Sequence, residues 1–343
     1  MCIITTFFSG AFAISSGTEG EEVVLVTAVS GDVRVSSGEE AEERPLKTGM
    51  RLQVGEEVVV HTGNASLVFF AGSYIKLAAG ERLLLGESLA ESMLQSGGTT
   101  RGLTGEDALP VLEQGLERSK KNDVWQAQLA SVSGIRGDGL PVAVAPRLTI
   151  ASENPRFYWF DTDTSGTGAE RRYILLLRAE DGTVLARQEL QGRTGRLNTF
   201  RFAQLPDGFT ASPRMHYEWS VLPAGAVEPE GRLDASFVFV DHEGMELARN
   251  RSTRLQDLEQ EGHIEEMTLH ILHCELYLDE RERLFSDALP HLLVLAGTEE
   301  GKDYASSRIA RMFLRFGNQV SSLAPLFHDR PAAYLDRTVV TGQ

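Results

Sequence analysis

The sequence predicts a multidomain protein, mainly β through its first two thirds and α-helical toward its C-terminal end. Three observations carry that expectation. Residues 24–85 are a string of short apolar runs broken by Gly every eight to twelve residues, the rhythm of strands joined by tight turns. Residues 157–240 hold five or six further runs rich in β-branched and aromatic side chains. From His242 the apolar period changes from two to 3.6, as it must when strands give way to helices. A chain of 343 residues is also longer than one ordinary core supports.

Taken in order, the opening Met1–Ser16 has an apolar stretch ending in Ala11-Phe12-Ala13, a small-x-small pattern suited to signal peptidase. No basic stretch precedes it, so residues 1–22 read either as a signal-peptide remnant or as a disordered arm. Residues 23–86 form a β-module in which Val24, Val26, Val29, Val33 and Val35 alternate as strands with one buried face do. Met50–Val60 and Ala65–Leu77 are expected as two more strand pairs, with Gly63-Asn64 and Ala71-Gly72 as turns. Glu39–Glu43 is a solvated acidic loop tip. Residues 87–140 are a linker with a short helix at 88–94 and a longer one at 106–129, where Thr104 and the acidic Glu106 and Asp107 make a helix start.

Residues 141–241 supply the second β-rich unit. Phe157–Phe160, Arg172–Leu177, Thr183–Leu190 after an Asp181-Gly182 turn, Thr199–Leu205, His216–Leu222 and Ala235–Val240 are its strands, with Trp159 and Trp219 as core aromatics. Residues 242–328 are helical. A stripe of Met245, Leu247/Ala248, Leu255 and Leu258 marks the first helix, and 264–277 and 284–296 form a hairpin in which the small Ala288 lets two helices approach. A further helix covers 304–317, and 329–343 is a tail. The hairpin is expected to dock on the second β unit.

Three stretches resemble known families. Gly31 and Val33, Leu46 and Gly49, Leu52, Gly55 and Val58, then Thr62-Gly63, the Leu67–Phe70 run, and Ile75 and Leu77 follow the pattern of the FecR-type domain. The order Gly134-Ile135-Arg136-Gly137, Pro146-Arg147, Asn154-Pro155 and Trp159 resembles the junction that leads from FecR-like modules into an immunoglobulin- or fibronectin-III-like β-sandwich. The run His270–Ala296 resembles a tetratricopeptide (TPR)-type helical hairpin, although one hairpin is not an array. These resemblances imply a bacterial protein in the periplasm or otherwise outside the cytoplasm. They imply a non-enzymatic scaffold or sensor that binds a protein or cell-wall component of the envelope. Two alternatives are a FecR-type regulator of transmembrane sigma-factor signalling and a carbohydrate-binding envelope protein. Exposed Trp159, Trp219 or Tyr217 would favour the second.

A formal charge of −16 argues against nucleic acid and anionic lipid as partners, and no apolar run approaches the length of a membrane span. Oligomeric state is left open. Cys2 and Cys274 are too few for a disulfide framework.

The candidates for chemistry are weak. Asp161, Asp163 and Ser165 with Gly166 match the first half of an EF-hand calcium loop, but Arg172 occupies the position of the closing acid. A polar hairpin loop is the commoner source of such residues. His263, Glu266, His270 and His273 lie at spacings that share one helix face, as helical metal ligands do. Histidines of a packed helix have the same spacing, and the His-Glu-x-x-His order is absent. Gly297–Lys302 is a residue short of a P-loop, and Cys274 sits in an apolar helix without an activating cation in sequence. No cofactor, catalytic group or metal is therefore expected.

Overall fold

A computed structural model describes residues 22–37, 43–96, 102–103, 140–163, 166–226, 235–278 and 284–335. The expected signal segment, the helix at 106–129, the Gly134–Gly137 junction and Ser165 lie outside the described residues. The described part has several antiparallel β-sheets in its N-terminal and middle parts and a helical C-terminal region.

The first β unit comprises β1 (Glu22–Ser30), β2 (Val33–Ser37), β3 (Arg44–Pro45), β4 (Arg51–Gln53), β5 (Glu56–Val60), β6 (Asn64–Phe69), β7 (Tyr74–Ala78), β8 (Arg82–Leu84) and β9 (Gly102–Leu103), with helix α1 at Leu89–Ser96. Two sheets form, in the orders β4-β1-β6-β7-β9 and β3-β2-β5-β8. Val24, Val26, Val35, Leu52, Val58, Leu67 and Ile75 fill the space between them. Met50–Val60 is therefore not a strand pair. Its two strands belong to different sheets, β4 on β1 and β5 on β2, and the chain crosses between layers at Gly55, whose φ of +87° suits glycine.

The second β unit comprises β10 (Pro141–Ala145), β11 (Leu148–Ile150), β12 (Phe157–Asp161), β13 (Glu170–Ala179), β14 (Val184–Arg193), β15 (Leu197–Phe200), β16 (His216–Pro223) and β17 (Ala235–Phe239). Its sheets run β10-β12-β15 and β11-β17-β16-β13-β14; β11 and β17 pair parallel and the other neighbouring strands antiparallel. Phe157, Trp159, Tyr173, Tyr217, Trp219 and Phe237 pack between them, mostly edge to face. The strand expected over 199–205 stops at Phe200, before the irregular Arg201–Pro206 segment.

The helices are α2 (His242–Gln260), α3 (Glu266–Tyr277), α4 (Phe285–Ala296), α5 (Lys302–Phe316), α6 (Asn318–Ser321), α7 (Ala324–Asp329) and α8 (Pro331–Tyr334). Asp241 caps α2 by accepting from the Gly244 N–H at 2.8 Å. Met245, Ala248, Leu255 and Leu258 of α2 are buried and Leu247 is exposed, which resolves the ambiguous stripe. Helical structure continues past residue 328 into α8.

The helices dock on both β units, not on the second alone. One continuous core joins Leu25, Val68, Phe70 and Tyr74 of the first unit, Val142, Val144, Tyr158 and Phe160 of the second, and the inner faces of α2–α5 and α7. Strands β1, β6, β10 and β12 are consequently buried on both faces, and for β1 this departs from the single buried face that the alternation of Val24 and Val26 suggests. In β1, Val24 and Val26 face the first unit's own core while Leu25 and Thr27 face the helices. The Thr27 and Thr268 hydroxyls meet at 2.9 Å across that boundary.

Gly49 shows how close the approach is. Its φ is +83°, and a Cβ there would lie 2.4 Å from the Tyr304 ring of α5. Gly55 has the same backbone conformation with open space around it. Gly55→Ala should cost about 1–2 kcal/mol of backbone strain, and Gly49→Ala a further ~1–3 kcal/mol of overpacking. Urea denaturation of the two variants measures the difference, and equal losses would show that the Tyr304 contact adds nothing.

Candidate functional site

The most polar part of the boundary lies where β4 meets α3 and α5. Glu275, near the end of α3, accepts hydrogen bonds from Arg51 Nη2 at 3.0 Å, Tyr304 Oη at 2.9 Å and Arg308 Nη2. Arg51 also pairs with Glu22 at 3.4 Å, and the Arg308 guanidinium lies 3.5 Å from the Tyr304 ring centroid. Burial alone would raise the Glu275 carboxyl, but Arg308 and Arg51 outweigh it, and with the hydrogen bonds hold the group below the usual carboxylate range.

Outside this network a cleft of about 530 Å³ opens between the first β unit and α5. Arg44, Lys47, Arg51, Arg308 and Arg311 line it against two carboxylates, Glu22 and Asp303. Some of this charge is already spent: Arg44 pairs with Glu56 at 2.7 Å, and Arg51 and Arg308 are held by Glu275. Lys47 is exposed at the rim. A local excess of cations on a chain of net charge −16 makes the cleft a place for an anionic group. Sequence reading missed it because its walls come from a strand turn near residue 47 and a helix near residue 308, which only the fold brings together.

The residues singled out in sequence lie elsewhere. Asp161 is buried at the end of β12, where it accepts from Tyr173 Oη at 2.6 Å, Arg171 Nη1 at 3.2 Å and the Asp163 N–H at 2.7 Å. Asp163 lies 3.6 Å from the same Arg171 guanidinium. Arg171 thus supplies the positive charge that a calcium ion would bring, and the two carboxylates are committed to it.

The histidine set is divided. His263 lies exposed in the turn before α3, 3.4 Å from Glu261. His270 and His273 instead meet His291 of α4, which the sequence reading did not pick out because it is distant along the chain. His270 Nδ1 and His291 Nδ1 are 2.9 Å apart, and the His273 and His291 rings stack with centroids 4.2 Å apart. The Tyr277 ring lies beside both, its centroid 5.7 Å from that of His273 and 6.0 Å from that of His291. Glu266 reaches His270 only at 3.8 Å. His273 and His291 pack face to face while His270 meets His291 at 50°, and among the described residues no group of three or more His, Cys, Asp or Glu converges as metal ligands.

Trp159, Trp219 and Tyr217 are wholly buried in the second unit's core, so none offers the exposed ring that glycan stacking would use. Arg147 pins its segment through the Ala143 carbonyl, and Ser286 and Asp287 of α4 bind the neighbouring backbone of Arg147, Ala151 and Ser152. Burial raises the Cys274 thiol well above its ordinary pKa, which leaves it without nucleophilic character. Among the described residues no helix is long and apolar enough to cross a membrane. No protein-family model and no curated protein matches the chain.

Two measurements follow from these buried polar groups. Glu275→Ala strands Arg308 and leaves Arg51 with Glu22 but without its second carboxylate, and should cost about 3–5 kcal/mol in urea denaturation; a loss no larger than an exposed Glu→Ala change would show that the network carries no such weight. The histidines act through pH. Burial lowers the pKa of His270, His273 (to about 4) and His291, with Glu266 and Glu259 partly opposing this at His270. The unfolded chain therefore binds more protons, so stability falls as pH drops below the unfolded value of about 6.5 and continues falling toward pH 4. His273→Phe should flatten that dependence between pH 6 and 5 by up to about 1.4 kcal/mol per pH unit, read from urea melts at each pH.

Proposed function

We propose that the protein is a non-enzymatic scaffold or sensor acting outside the cytoplasm. In this reading its first unit is FecR-like, its second an immunoglobulin- or fibronectin-III-like sandwich, and its helices a TPR-like docking region. The three units work as one body, and an acidic segment of an envelope protein docks in the cationic cleft. The observation that carries the reading is the cleft itself, formed between Lys47 and Arg44 of the first unit and Arg308 and Arg311 of α5.

Physical chemistry supports an acidic partner. Opposite charge steers encounter and fixes register, and the body's net charge of −16 repels acidic chains everywhere except where cations cluster. Arg44 and Lys47 are accessible without disturbing the Glu275 network, whereas Arg51 and Arg308 hold the wall in place.

Fluorescein-labelled hexaglutamate is a direct probe. Its anisotropy should rise saturably with the protein and fall back as salt is added. The double variant Arg44→Glu, Lys47→Glu should weaken binding about tenfold or more, while Arg187→Glu, on the second unit, leaves it unchanged. Absence of saturable binding, or equal affinity in all three proteins, rules the cleft out as the docking site.

A further inference from the structure

Strand β14 is an anomaly among the sheet edges. The other described edge strands are short: β3 and β9 have two residues, β4, β8 and β11 three, β15 four and β10 five. β14 has ten residues, lies at the end of its sheet, and among the described residues no strand pairs with its outer side. It contains no Pro, and Val184 at its start is 53% exposed. Long open edges pair readily with other strands, and proteins ordinarily blunt them.

The backbone direction along β14 can be read from its far end. The Arg193 N–H donates to Asn198 Oδ1 at 2.6 Å, and Asn198 Nδ2 donates to the Arg193 carbonyl at 3.0 Å. Both Arg193 groups therefore point away from β13. Backbone direction alternates along a strand, so Gln191, Glu189 and Arg187 also present their N–H and C=O outward. Gln188 touches this edge, its side-chain amide donating to the Glu189 carbonyl at 3.1 Å. The register with β13 shifts at Leu185, between Val184 and Ala186, so the usable edge is 186–190, with Gln188 at its midpoint.

We infer that this edge pairs with β14 of a second copy of the chain, antiparallel and centred on Gln188. That register sets Arg187 of each copy opposite Glu189 of the other, in pairs that exchange both backbone hydrogen bonds. Ala186 falls opposite Leu190. Moving the two-fold axis by one residue puts Arg187 against Arg187 or Glu189 against Glu189, so the sequence selects one register of the three. Opposite charges directly across a strand pair stabilise it and like charges destabilise it. Arg172 of β13, 3.2 Å from Glu189, extends the charge ladder on the same face. The paired sheets become one sheet of ten strands, twice the five of a single copy. The inference stands independently of the cleft, which is on the other β unit.

Sedimentation equilibrium of the full chain over a wide concentration range tests it. The wild type should show a monomer–dimer equilibrium. Arg187→Glu or Glu189→Arg alone, by facing like charges across the two-fold axis, should weaken the dimer about tenfold. The double swap Arg187→Glu, Glu189→Arg should restore it. All these side chains are exposed and outside the core, and circular dichroism melts of each variant confirm folding. The Arg44→Glu, Lys47→Glu variant should dimerise as the wild type does. A protein that stays monomeric, a dimer indifferent to the single swaps, or a double swap that fails to restore association each overturns the proposal; in those cases the edge is open to a strand of another protein or to none.

Discussion

Leu25 and Thr27 of β1 point away from the core of their own sheet pair, and their burial depends on a partner far along the chain. The same is true of Val142, Val144, Tyr158 and Phe160 in the second unit. An apolar side chain of this size is worth about 1.5–3 kcal/mol when buried rather than exposed, so a sheet with two apolar faces is stable only when both are covered. Helices α2–α5 provide that cover for both units at once. This single requirement explains why the helices are apolar on more than one side: α4, with Ala288, Leu289, Leu292, Leu293, Leu295 and Ala296 all buried, sits in the middle of the shared core.

Polar groups decide the alignment that apolar contact leaves open. Hydrophobic burial is nearly indifferent to sliding one surface over another, whereas a buried carboxylate tolerates only its partners' positions. Glu275 takes donors from β4 and from α5, and Ser286 and Asp287 take backbone N–H groups beside β11. At the opposite end of α3 the buried Thr27–Thr268 contact acts likewise. Desolvation makes such contacts poor sources of net stability, so their weight lies in fixing one arrangement.

Much of this fold is legible in the sequence, and the failures share a cause. The switch from period two to 3.6 at His242, the Asp181-Gly182 turn and the inward placement of Trp159 and Trp219 are local or strongly patterned signals, and the structure follows them. The second buried face of β1 and β12 was also written, in the unbroken runs Val23-Val24-Leu25-Val26 and Phe157-Tyr158-Trp159-Phe160; alternation read through such runs notices only half of them. What could not be read were partnerships across the chain. His291 joins His270 and His273 because α3 and α4 are antiparallel neighbours, whereas His263 falls in the preceding turn and leaves the set. The cleft is the extreme case, since nothing in sequence links Lys47 to Arg311 until the fold brings both to one cavity.

The cleft's geometry therefore inherits whatever rigidity the shared core provides. Its two walls belong to elements more than two hundred and fifty residues apart in sequence, and Glu275 ties them together from behind: Arg51 from the strand side and Arg308 from the helix side end on the same carboxylate. An anion entering in front meets Arg51 and Arg308 already partly neutralised, so recognition falls to the exposed rim, to Lys47 and to Arg44 beside its Glu56 partner. Structural and recognition duties are thereby divided between inner and outer cations. The division has a physical rationale, because a guanidinium that must hold a wall in place cannot also move to meet a ligand without loosening the boundary between β1 and the helices.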